Sequence, residues 1–383
     1  MQFAFTDEQR EFRDVLRRFL QNKSPPGEVR RLMETDQGWD REEWRKLNQD
    51  LGLTGVRVPE AYGGQGFGMV ELGIVMEEMG RALLCAPYFS SAVLAATAIA
   101  EAGTEEQKRA LLPSIAAGDT IATLAFTEDN GRWDTVGIEM TATPEGDVFR
   151  LDGTKSFVVD GHTADLIVVA ARRQGSSGDD GLSFFTVAGD TEGLSRRRLE
   201  TMDPTRKLAR LEFRGVKASL LGSEGAAAAP LARTLDIAAV ALAHEMAGGA
   251  ERLREDALDY VNMRVQFGRT IASFQVTKHK AADMLLDVEL AKSAAYYAAE
   301  ACDENAPDFP AVASLAKAQA SDVYMQTAIH AVQMHGGIGF TWDNDTHLWF
   351  KRARSSEAFL GDPAYHRELM MQRWDTGEER ASA

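Results

Sequence analysis

The sequence predicts an α+β fold in three parts: an N-terminal helical domain, a middle antiparallel β domain and a C-terminal four-helix-type bundle. Two observations predict it. The hydrophobic pattern keeps a helical period up to Gly118, alternates with period two from about residue 120 to 222, and then returns to a helical period in long amphipathic stretches. Turn and cap residues fall at the changes of period, which places the domains at 1–119, 120–224 and 225–383.

The first part opens with "FTDEQREFRDVLRRFL". Thr6 and Gln9 stand in capping-box spacing, and Phe12, Val15, Leu16, Phe19 and Leu20 share one face. In "DREEWRKLNQDLG", Asp40 caps a second helix and Gly52 stops it. "VPEAYGGQGFG" is a glycine-rich loop, and helices follow near 69–84, 88–102 and 105–117, the last with a capping box from Thr104 to Gln107. From "TIATLAFTE" onward the segments are short, alternating and bounded by Glu145–Gly146 and Asp152–Gly153, which reads as strands. Past "GSEGAAAAP" three long helices are expected near 230–266, 273–303 and 311–335, with Gly336 as a C-cap.

Composition narrows the function. The net charge is −16, so nucleic acid and anionic membrane surfaces are excluded as partners by like-charge repulsion. The two cysteines, Cys85 and Cys302, lie far apart in sequence, which excludes a disulfide framework and fits a reducing, cytoplasmic setting. The stretch "MQFAFTDEQREF" is charged and has no apolar core, so it does not read as a signal peptide. "SAVLAATAIAEAG" is too short to span a bilayer. No metal signature, nucleophile elbow, Walker loop or dinucleotide fingerprint is present.

Two stretches carry chemistry. In "RVQFGRTIASFQVTKHKAADM", Arg264, Gln266, Arg269 and Gln275 gather donors where one long helix ends and the next begins. Such a corner suits a phosphate-bearing ligand, through arginine forks and helix-start amides. It is equally readable as a solvated corner with Phe267 and Phe274 in the core. "HGGIG" follows a helix, so a C-cap explains it without a ligand.

These stretches resemble the signatures of the acyl-CoA dehydrogenase family. "RVQFGRTIASFQVTKHKAADM" and "QMHGGIGF" match in order, as do "VPEAYGGQG", "LAFTEDNGRWD" and "LDGTKSFVVDG", so the resemblance covers nearly the whole chain. It implies the family's fold and an FAD-dependent α,β-dehydrogenation of an acyl-CoA, of the kind used in fatty-acid β-oxidation, with electrons passed to an electron-transfer flavoprotein. It also implies roles. Arg264 would hold the FAD pyrophosphate of a neighbouring subunit, with Phe267 and Gln275 beside the adenosine half. Gln333, Gly336 and Gly337 would approach the phosphate and ribose. Phe126 and Thr127 would lie along the isoalloxazine; ordinary sheet core is the competing reading for Phe126 and Phe157. Phe157 takes the family's usual Trp position, Val159 its Thr or Ser position near N5, and Trp133 that of a small Ser beside the thioester.

The resemblance also exposes a gap. The family's catalytic carboxylate falls at Leu360 or, in some members, at Ala238, and neither is acidic here. Three nearby acids are candidates. Glu245 lies seven residues past Ala238 on the same helical face, roughly 10 Å along the axis. It could act as a base in its small apolar surroundings, or pair with Arg252 or His244. Glu357 could answer Arg354 or Arg352, and Asp362 is placed for a flavin hydroxyl. The expected assembly is a homo- or hetero-tetramer. The chain is then either a dehydrogenase with a relocated base or an FAD-holding subunit whose partner chain supplies one. A flavin-dependent monooxygenase on the same fold is a further reading, which the intact Arg264–Gln275 motif counts against.

Overall fold

The computed structural model describes residues 5–381, with side chains described for 5–374; the first four residues of the N-terminal stretch lie outside it. The chain divides into two compact units.

The first unit comprises residues 1–31, 68–84 and 239–383 and is helical. Helix α1 (Asp7–Lys23) begins at Thr6, whose hydroxyl accepts from the Gln9 amide while the Gln9 side chain accepts from the Thr6 amide, the expected capping box. Helix α2 (Pro26–Glu34) follows. Helix α4 (Met69–Ala82) is buried over most of its length, Glu77 and Glu78 included. Buried carboxylates need partners, and Glu78 takes both Nε (2.9 Å) and Nη2 (2.5 Å) of Arg17, while Glu77 accepts from the Tyr296 hydroxyl.

Helix α7 (Ala228–Met263) passes close to α4. A Cβ at Gly80 would strike the Glu245 carbonyl, and one at Gly248 the Glu77 carbonyl, so the small residues of "EMAGGA" allow backbone-to-backbone contact. Helices α8 (Gln275–Asp303), α9 (Phe309–His335), α10 (Thr346–Ala358) and α11 (Pro363–Ala381) complete the bundle. Gly336 ends α9 at φ +67°, as the sequence predicts.

The junction after α7 differs from expectation. Arg264 and Gly268 do not sit in a plain helix corner. Val265–Gln266 (β8) and Arg269–Thr270 (β9) pair as a small hairpin, and Phe267 and Gly268 form its two-residue turn at φ +54° and +77°. Phe267 is not in the core either: it is 92% exposed.

The second unit comprises residues 32–67 and 85–238. Asp40 caps helix α3 (Arg41–Leu51), which Gly52 ends in the left-handed region. The Ala-rich stretch expected as one helix near 88–102 starts as a fully buried π-helical segment, Phe89–Ala95, and continues as α5 (Ala96–Ala102). Helix α6 (Glu105–Ala116) has the predicted Thr104–Gln107 capping box.

Seven strands form one sheet: β1 (Ala122–Ala125), β2 (Thr141–Glu145), β3 (Val148–Val159), β4 (Leu166–Arg173), β5 (Leu182–Ala188), β6 (Leu194–Arg198) and β7 (Leu208–Leu221). Pairings β4–β2–β3–β7–β5–β4 close on themselves. Most are antiparallel as expected, but β1 and β2 each pair with β4 in parallel. Closure removes most of the open edges, and the enclosed core includes Leu151, Ile167, Val169, Phe185, Leu211 and Phe213.

Candidate functional site

In the second unit, the expected isoalloxazine-facing residues sit where β1 runs on toward β3. Phe126 and Thr127 are buried. The Ser156 amide donates to the Thr127 carbonyl (2.9 Å), and the Thr127 hydroxyl donates to the Ser156 carbonyl (2.6 Å). Beneath them Lys155 is fully buried; its ammonium donates to the Phe126 carbonyl (3.2 Å) and to Glu128 (2.7 Å), and Glu128 in turn accepts from the Met140 amide (2.9 Å). Burial pushes the Lys155 pKa down to about 8, against the opposing pull of Glu128. The segment after β1 that carries Phe126 and Thr127 is thus fixed by a buried ion pair that sequence reasoning missed.

A bulge in β3 between Lys155 and Val158 turns Phe157 outward at φ +59°. It is 40% exposed, which overturns the sheet-core reading for Phe157; Phe126, just past the end of β1, is buried. Val159 is buried, and its carbonyl accepts from the Thr123 hydroxyl (2.7 Å). Trp133 is half-buried, with its ring 6.1 Å from that of Phe126. Its neighbours Arg132 and Asp134 form a two-pronged pair at 3.0 and 2.7 Å that braces the loop.

In the first unit, the hairpin presents Arg264, Phe267 and Arg269 to solvent, next to Gln275 at the start of α8. Arg269 stacks on Phe274 at 4.0 Å from the ring centroid. Gln333 near the end of α9 accepts from Lys280, and a Cβ added at Gly336 or Gly337 would meet nothing within 4 Å. Bare backbone and open space therefore stand where the sequence placed phosphate and ribose contacts.

The replacement acids are all engaged. Glu245, the candidate for a relocated base, is buried and accepts from Arg352 Nη1 at 3.1 Å; the arginine is also buried. The pairing reading is the one realised, with Arg352 in place of the expected Arg252 or His244. His244 instead packs its ring edge-on to Tyr296. Glu357 pairs with Arg354 as anticipated. Asp362 caps α11 by accepting from the Tyr365 amide (2.8 Å).

Leu360 and Ala238 are buried, 4% and 0% exposed. Leu360 sits at φ +62° and Gly361 at +108° in a turn held from below. The fully buried Lys317 donates to the carbonyls of Gly361 (2.9 Å) and Glu357 (3.2 Å) and to the Ser321 hydroxyl (2.9 Å). His366 Nε2 donates to the Leu360 carbonyl (2.9 Å).

Burial, with Lys317 nearby, pulls the His366 pKa down from 6.5 to about 3. The unfolded chain therefore binds a proton at this site between about pH 6.5 and 3 that the folded chain does not. The stability contributed by neutral His366 is complete above the unfolded value and is lost as pH falls through that window, by about 1.4 kcal/mol per unit at most. Replacing it (His366→Gln), which keeps a donor for Leu360, is expected to flatten the acid limb of a Tm-versus-pH curve. An unchanged limb would contradict the placement.

Comparison with known proteins agrees with this layout. Residues 6–119, 123–216 and 228–374 match the N-terminal, middle and C-terminal domains of acyl-CoA dehydrogenase. The chain belongs to the acyl-CoA dehydrogenase family. Acyl-CoA dehydrogenases are FAD-dependent oxidoreductases acting on CH–CH groups. Among its relatives is acyl-CoA dehydrogenase IpdE2 of Mycobacterium tuberculosis, 31% identical over 97% of this chain and 98% of the relative. Among solved structures, the Tcur3481–Tcur3483 steroid ACAD is 31% identical, with a TM-score of 0.87 over 97% of this chain and 99% of the other. A chain in a structure named for the electron transferring flavoprotein of Acidaminococcus fermentans is 30% identical, with a TM-score of 0.90 over 97% and 99%. Among the described residues no helix is long and apolar enough to cross a membrane, and no group of three or more His, Cys, Asp or Glu could hold a metal ion.

Proposed function

We propose that this acyl-CoA dehydrogenase family chain serves the conversion of an acyl-CoA to a trans-2-enoyl-CoA as the flavin-holding subunit of a mixed assembly. A second chain then supplies the carboxylate that takes the α-proton. One observation carries this: Leu360 and Ala238, the positions of that carboxylate in the family, are apolar and buried, and each nearby acid is committed elsewhere. A carboxylate whose oxygen accepts from a buried arginine is engaged and is not placed to meet a substrate proton. The two component names of the steroid ACAD support a two-chain build, and they bring a ring-bearing acyl group into the substrates to test.

The residues fit FAD. Arg264, Gln275 and Gln333 offer N–H donors to phosphate and ribose oxygens, and Gly336 and Gly337 leave their backbone open to close approach. Phe126 and Thr127 offer a backbone edge braced by Lys155, and Phe157 offers an exposed ring. Val159 contributes only backbone, and Trp133 and Leu360 shape the substrate side. When bound, FAD supplies the acceptor for the β-hydrogen. The chain's own residues orient the thioester and exclude water. Electrons then pass to an electron-transfer flavoprotein, a step supported by the likeness to a chain in the structure named for one. Cys85 and Cys302 are buried and in no disulfide, which is consistent with a cytoplasmic setting.

Assembly follows from the hairpin. Met263, Val265, Phe267 and Val276 expose apolar side chains beside Arg264, a surface that fits burial against another subunit, in a dimer at least and a homo- or hetero-tetramer in full. Removing the guanidinium (Arg264→Ala) is expected to lower the FAD-to-protein ratio after gel filtration severalfold. Because Arg264 is exposed, the unfolding free energy of the flavin-free chain should stay within about 0.5 kcal/mol of unchanged. Equal FAD content in the variant would refute the assignment.

A further inference from the structure

We propose that the first unit holds a second ligand site, for a phosphate-type oxyanion, in a cavity between α1, α4, α7 and α10. Arg17, Gln21, Arg81, Arg252, Leu20 and Trp349 contribute to its lining. The three guanidinium groups share one arrangement: an acid anchors each on one edge. Arg17 gives Nε and Nη2 to Glu78, Arg81 gives Nη2 to Glu255, and Arg252 gives Nε to Asp256 at 2.8 Å. An arginine held this way keeps further N–H donors for a second partner.

At Arg81 the second partner is missing. Its side chain is 10% exposed, and Nη1 is buried without a hydrogen-bond partner. A buried donor left unpaired is costly, and native structures rarely tolerate one without a ligand or ordered water to take it. An oxyanion with several acceptor oxygens satisfies Arg81 and takes donors from Arg17 and Arg252 at the same time. Glu78 also lines the cavity, but its oxygens are occupied by Arg17. Trp349 fixes the wall. Its indole donates to the Gly80 carbonyl (3.2 Å), and the Arg252 guanidinium lies 5.9 Å from its ring centroid.

Glu78, Glu255 and Asp256 balance the three cations, so directional donors hold the ligand, not an excess of local charge. The chain as a whole carries a net charge of −16 and would repel anions in general. Binding is therefore expected to discriminate phosphate from chloride at equal ionic strength. A second cavity, lined by Tyr260, His335, Asn344 and Asp259 among others, shares Pro26, Arg252 and Trp349 with the first, so a phosphate carrying an organic group has room to extend.

The test uses the full, flavin-loaded chain and measures Tm and calorimetric binding of inorganic phosphate and, separately, of 4′-phosphopantetheine, each against chloride at matched ionic strength. The expected result is a saturable rise in Tm with phosphate that weakens at least tenfold in Arg81→Gln. Tighter binding of the phosphomonoester would identify an organic phosphate as the source, and equal binding would identify the free anion. If Arg81→Gln does not fold, Arg252→Gln, on a side chain one-third exposed, serves the same purpose. No saturable rise, or a rise that both variants keep in full, would overturn the site.

Discussion

Replacing Leu360 with glutamate is expected to let the isolated, FAD-loaded chain reduce its flavin with an acyl-CoA. The turn that carries residue 360 does not depend on the leucine side chain for its shape. Lys317 holds the carbonyls of Glu357 and Gly361, His366 holds that of Leu360, and Gly361 supplies the backbone freedom at φ +108°. A carboxylate introduced by Leu360→Glu therefore projects along the path the leucine takes now. Leu360 is buried, so the substitution costs stability, about 1–3 kcal/mol for a polar group without a full set of partners. The same burial favours proton uptake by the new carboxylate and suits it to general-base work. The amide variant, Leu360→Gln, is the control. It should show a similar fall in Tm and no bleaching, which separates the carboxylate from mere polarity. Bleaching by the amide, or none by the acid in a variant that folds and holds FAD, would contradict the account.

Breaking the Glu245–Arg352 pair is expected to be among the most destabilising single changes in the helical unit. Both side chains are buried, so Arg352→Ala leaves a carboxylate out of water and without this partner, at a cost of about 3–5 kcal/mol. Removing the pair together (Glu245→Leu with Arg352→Met) should recover most of that loss, because the uncompensated charge goes with it. Glu245→Gln should lower the midpoint of chemical denaturation, while the FAD-holding assembly with its base-supplying partner keeps its turnover. A selective loss of turnover with stability intact would make Glu245 the base after all.

The order of the elements was legible because local rules set it. The Thr6 and Thr104 capping boxes and the Asp40 cap stand where the sequence placed them. Three features were not legible. The π-helical stretch Phe89–Ala95 lies in an Ala-rich, buried run, where apolar residues on every side blur the period that would distinguish it. The hairpin at 265–270 turns on Phe267–Gly268, not on an Asn-Gly or Asp-Gly pair, so the usual turn signal was absent. The partner of Glu245 lies 107 residues away, beyond what helical spacing can reveal; only Arg252 and His244 were within its reach.

The site was legible in pieces for the same reason. Motifs placed Arg264, Gly336 and Leu360 at their positions along the chain, and the absence of an acid at Leu360 and Ala238 could be read directly. The Lys155–Glu128 pair, the Lys317 hold on the turn and the arginine-lined cavity depend on side chains that only the folded chain brings together.

That this chain lacks a working base of its own can be read directly from its flavin. The chain is purified alone, reconstituted with FAD, and titrated anaerobically with acyl-CoAs of short, long, branched and ring-bearing acyl groups while the flavin absorbance is followed. The flavin is expected to stay yellow with every substrate and to bleach once a partner chain carrying the carboxylate is added. Bleaching in the chain alone would show that a base is present and would contradict the account.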